Sequence, residues 1–156
     1  MNPLKKLKRL LASLVEQDSS PEEIALGVAV GVFIGFSPWY GIQIFIALAC
    51  AYLIPRVNKI SVVAGAQINW VAPVYYYIEY RLGLLLLRRQ GPSITVETFR
   101  HLTVKKILQY LNLETAAVVL WPLFIGSLVL GAVVAVIAYF LTRSLVGRAQ
   151  SRRVSG

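Results

Sequence analysis

Apolar positions fall into three long runs, and two of them are broken in the middle. Ile24 to Ile54 carries no charge between Glu23 and Arg56, but Ser37-Pro38-Trp39-Tyr40-Gly41 interrupts it. As one helix these residues would be ~46 Å long, against a hydrocarbon core of ~30 Å. Proline lacks an N–H and fits a first helical turn, and serine is a good N-cap. The run therefore predicts two shorter helices meeting at Ser37. Ile60 to Leu87 has a similar outline: an approach through Ala64-Gly65-Ala66, a break at Asn69-Trp70-Val71-Ala72-Pro73, and a return helix from Val74. Pro73 lies 35 residues after Pro38, and Tyr75 35 after Tyr40, a weak internal repeat. The third run, Thr115 to Thr142, is uncharged, with Trp121-Pro122 near one end as an interfacial anchor. It is long for a single tilted span.

Between and around these runs the pattern changes. Leu4, Leu7, Leu11, Leu14 and Val15 recur at helical spacing among lysines, predicting an amphipathic helix on a membrane surface over residues 1–20. Ser20, Pro21 and Glu23 then give an N-cap, a first-turn proline and a capping-box partner, so a new helix starts there. It carries Gly27, Gly31 and Gly35 on one stripe, a face that lets another backbone approach closely. That partner is either another part of the chain or another protein. Residues 88–114 form the polar part, expected as headgroup-level helices, and residues 143–156 a basic, disordered tail. The expected fold is all-α: a polytopic membrane domain over residues 21–142, with proline-broken helices that can form re-entrant hairpins.

Composition agrees with this reading. Only 15% of the 156 residues are charged, and the mean hydropathy is +0.66. The net charge of +9 sits in clusters beside the apolar runs, where anionic headgroups are the natural counter-charge, and it argues against nucleic acid. All the boundaries of the runs are basic. Hairpins would keep such boundaries on the cytoplasmic side, ordinary crossings would put some outside, and the N-terminus is expected to be cytoplasmic. Cys50 and His101 are single, which excludes a disulfide framework and a His/Cys metal site. No cleavable signal peptide is expected.

Backbone N–H groups at helix starts inside a membrane would face the breaks, together with the positive ends of the helix dipoles. Two such ends would suit a phosphate or carboxylate, with Ser37, Pro38, Tyr40, Gln43, Asn69, Pro73 and Tyr75 around it. Alternatively Ser37 and Asn69 only cap helices and Gln43 satisfies a neighbour's backbone. Glu79 and Arg81 are charges on an apolar segment, each costing ~2.5–3.5 kcal/mol to insert, so each needs a partner or water. They lie two residues apart and cannot pair with each other. Tyr75, one turn earlier, can donate to Glu79, and Arg81 can snorkel to headgroups. No nucleophile–base pair, metal cluster or nucleotide loop stands out, so neither an enzyme nor a cofactor is expected.

The blocks SPEEIALGVAVGVFIGFSPWYGIQ and INWVAPVYYYIEYRLG resemble a bacterial membrane family, domain of unknown function 2062, over roughly Leu11 to the end. Trp70 and Ala72 stand where that family usually has a proline and a threonine. The resemblance implies a small inner-membrane protein, in some relatives joined to glycosyltransferase domains, with no established activity. It also suggests a lipid-linked anion such as polyprenyl phosphate as ligand. Two functions are therefore expected to compete. One is a binding or transport module for an anionic lipid headgroup or small anion. The other is a scaffold that packs on an envelope-biosynthesis enzyme, or on a second copy, through Gly27, Gly31 and Gly35.

Overall fold

The computed structural model describes residues 19–38, 42–67, 72–96 and 113–154. The surface helix expected over residues 1–20 therefore lies, to residue 18, outside the described residues, as do Tyr40, Asn69 and residues 97–112 of the polar segment. Five helices are described: α1 (Pro21–Gly35), α2 (Gln43–Leu53), α3 (Lys59–Gly65), α4 (Ala72–Leu87) and α5 (Leu113–Val154). The described fold is all-α. One helix, over Val118–Ser151, is long and apolar enough to cross a membrane.

The start of α1 follows its sequence signal closely. Ser20 Oγ accepts from Glu23 N–H, and the Glu23 carboxylate accepts from Ser20 N–H, which closes the capping box. The other end departs from expectation. No helix restarts at Pro38: α1 ends with Phe36 as its C-cap, Ser37 Oγ donates back to Phe33 O, and α2 begins only at Gln43. The chain reverses direction here, and an antiparallel helix pair needs a connection of several residues. Pro38 lies in that connection.

From the reversal α2 runs back beside α1 and α3. Ala47 and Ala51 pack with Ile34, Val62 and Ala66. A turn with Arg56 at φ 65° then leads into α3, which runs parallel to α1 in very close contact. A Cβ on Gly27 would lie 2.6 Å from Asn58 O, and one on Gly31 would overlap the Val62 carbonyl. Gly65 answers from the other side, where a Cβ would meet Val28 O at 2.5 Å. Glycine is required at this crossing because the two backbones touch.

The second apolar run is not a hairpin, which corrects the expected return helix. α3 descends along α1 from the level of Gly27 to that of Gly35, and α4 continues in the same sense. The reason is α5. Its last part pairs antiparallel with α1 through Val146 against Ile24 and Arg143 against Glu22. Its middle packs on Val32 and Phe36 through Leu130 and Val134. Its first part covers α4, with Leu123 on Tyr80. Thus α1 and α4 lie in series along one 42-residue helix. Gly83 and Gly126 bring α4 and α5 to backbone contact, since a Cβ on either would overlap the Pro122 or Glu79 carbonyl. The 35-residue repeat is consequently not a geometric one.

The basic tail expected to be disordered is helical through Val154. Arginine, alanine and glutamine suit a helix, and tertiary contacts hold this one: Val146 is buried on Ile24, and Gln150 Nε2 donates to Ser19 O at 3.2 Å.

Candidate functional site

Two helices end and two begin at one level of the molecule. The C-terminal carbonyls of α1 and α3 arrive there, and both are covered by side chains from the helices that start. Tyr75 Oη donates to Gly35 O at 3.2 Å, and Gln43 Nε2 donates to Ala66 O at 3.4 Å. Tyr75 also packs its ring on Phe36, with centroids 4.9 Å apart. Hydrogen bonds from these two side chains therefore fix the junction.

The helix starts differ from one another. α1 is capped by Ser20, and α3 by Asn58, whose Oδ1 accepts from Ser61 N–H at 2.9 Å. Ile42, the N-cap of α2, gives no side-chain hydrogen bond, and the first intrahelical bond runs from Ile46 N–H to Ile42 O. Ile42 thus does not cap the opening turn of α2 with its side chain, and Ile42, Ile44 and Phe45 are exposed around that turn. The dipole and amides at this end are positive.

Of the residues singled out in sequence, Gln43, Pro73 and Tyr75 meet at the junction, with Pro73 in the first turn of α4. Ser37 and Pro38 lie on the α1 side, half-buried. Tyr75 does not donate to Glu79, because its hydroxyl reaches across to α1 instead. Glu79, one turn further along α4, is completely buried, and neither carboxylate oxygen has a hydrogen-bond partner. Arg81 is exposed. Beside α1 and α2 an open groove of about 470 Å³ is lined by Ala29, Phe33, Ile34, Ile46, Cys50 and, at its end, Ser37. Its walls are apolar, so it suits a hydrocarbon chain and not an ion.

Three participants escaped the sequence reading. The Gly35 and Ala66 carbonyls are backbone groups and carry no residue signal. Ile42 looks like any other apolar residue in its run. Gly27, Gly31 and Gly35 face α3 of the same chain, which fills the stripe that a scaffold reading gives to a partner.

No curated protein matches the chain, and no solved structure does. The family described as "uncharacterized protein conserved in bacteria" matches residues 4–155, nearly the whole chain. Because that match spans nearly its whole length, the chain belongs to the uncharacterised bacterial family DUF2062.

Proposed function

We propose that this is a multi-pass protein of the bacterial inner membrane that binds, and in a transport cycle passes on, an anionic lipid headgroup such as a polyprenyl phosphate, or a small anion. In this reading α1 and α2 form a re-entrant hairpin, α3 and α4 together make one broken crossing, and α5 makes the other. The start of α1, the turn after α2 and the end of α5 share one end of the molecule, with Arg56, Lys59, Arg143 and Arg148 exposed there. That end is cytoplasmic by its cations.

One observation carries the anion reading. The carbonyl ends at the junction already accept hydrogen bonds from Tyr75 and Gln43, whereas Ile42 gives the start of α2 no capping side chain. The positive end of the α2 dipole lies at this junction, which favours an anion. The apolar groove ending at Ser37 supports a ligand with a hydrocarbon chain.

Native mass spectrometry after gentle extraction tests this. The wild type should retain a phospholipid or isoprenoid phosphate. Ile42→Asp would cap α2 with its own carboxylate, keep the fold and lose the lipid. Ile42→Leu should retain it. Equal retention by Ile42→Asp, or none by the wild type, overturns the reading.

A further inference from the structure

Glu79 is not explained by an anion site. Its side chain has no exposed surface, and both carboxylate oxygens lack a hydrogen-bond partner. A carboxylate sealed from water without donors or a counter-charge is among the most unfavourable groups a protein interior can hold.

Among the described residues, neighbouring elements do not supply the missing charge. The part of α5 that packs on α4, from Val119 to Leu130, contains no titratable side chain. Its Ser127 hydroxyl donates to Phe124 O at 2.8 Å. On α4 itself the nearby titratable groups are tyrosines. Tyr75 and Tyr80 donate to the carbonyls of Gly35 and Pro92, and Tyr76 stacks edge-on against Tyr75. Arg81 is exposed and two residues on, which turns it to nearly the opposite side of the helix. The end of α1 contributes Phe36 here, which is uncharged.

Because Glu79 has no surface, neither a second protein nor a lipid headgroup can reach it. Only a species small enough to enter the packed interior can, and it must be positive. We propose that Glu79 holds a proton taken from solution, one helical turn from the junction. The protein thereby has a proton site separate from the anion site, and the two stand or fall separately.

Infrared spectroscopy of the full-length protein in liposomes at pH 7 tests this, because it reads a protonated carboxyl without any reagent having to reach it. The wild type should show the carbonyl stretch of a protonated carboxyl, Glu79→Gln should lose that band, and Glu22→Gln, at an exposed carboxylate, should keep it. No such band in the wild type, or a band that survives in Glu79→Gln, overturns the proposal, because it would mean that the Glu79 carboxyl is ionised.

Discussion

Asn58 illustrates how much one short polar side chain can hold together. Its Oδ1 accepts from both the N–H and the hydroxyl of Ser61, its Nδ2 donates to Ser19 Oγ at 2.9 Å, and its own N–H donates to Glu23 O. It therefore caps α3 and ties that start to the start of α1. Asn58→Ala removes the side-chain bonds and leaves buried Ser61 short of a partner. The expected loss is about 2 kcal/mol, read from denaturant unfolding in micelles. Glu79 is the opposite case, since removing its carboxyl breaks no hydrogen bond in the fold. Glu79→Met keeps the volume and should raise stability by about 1–3 kcal/mol in the same assay. A lower midpoint would mean that the carboxyl has a partner in the folded protein.

Among the elements, glycines separate contact from empty space. Gly126 of α5 lies against the Glu79 carbonyl, where a Cβ cannot fit, whereas around Gly147 of the same helix nothing lies within 4 Å. One substitution should thus act in opposite directions. Gly126→Ala should force α4 and α5 apart and lower the unfolding temperature sharply, while Gly147→Ala should raise stability by about 0.5–1 kcal/mol through helix propensity. At the end of α4, Arg89 N–H reaches Leu84 O and Arg88 N–H reaches Leu85 O, with Arg88 at φ 50°. This is the helix-ending pattern that glycine normally fills. Arg88→Gly should accordingly stabilise the protein by up to about 1 kcal/mol, measured by the same unfolding experiment.

For the whole molecule the arrangement along α5 decides the topology. α1 and α4 share α5 as a common backbone, so the end of α4 lies far from the end that gathers Ser20, Arg56 and Gln150. In right-side-out vesicles of a Cys50→Ala protein, single cysteines at Ser20, Arg56 and Gln150 should share one accessibility to a membrane-impermeant maleimide. Cysteine at Gln90 should show the opposite one. If all four react from the same side, the second run is a hairpin and the broken crossing is wrong.

Local chemistry was readable wherever neighbours in sequence are also the partners in space. The capping box at Ser20 and Glu23, the all-α apolar pattern and a proline in the first turn of α4 all need only a few adjacent residues. So does the glycine stripe, because three glycines four apart must share a face. The direction of each helix after its break was not readable. Ser37-Pro38 and the stretch before Pro73 carry similar residues, yet α2 turns back and α4 continues. That choice depends on which surface each helix finds: α2 packs on Ile34, Val62 and Ala66, whereas α4 is held against Pro122 and Gly126 of a helix far along the chain. The partner of Tyr75 was equally hidden, since Glu79 is near in sequence but the Gly35 carbonyl is what lies within reach of its hydroxyl. By itself the sequence determined where helices begin, which stripe accepts a backbone and which charge needs explaining. Only the tertiary structure decided what fills that stripe, where each helix runs and that Glu79 is left without a partner, because those outcomes rest on contacts between residues on different helices, such as Gly27 with Asn58 and Gly126 with Glu79.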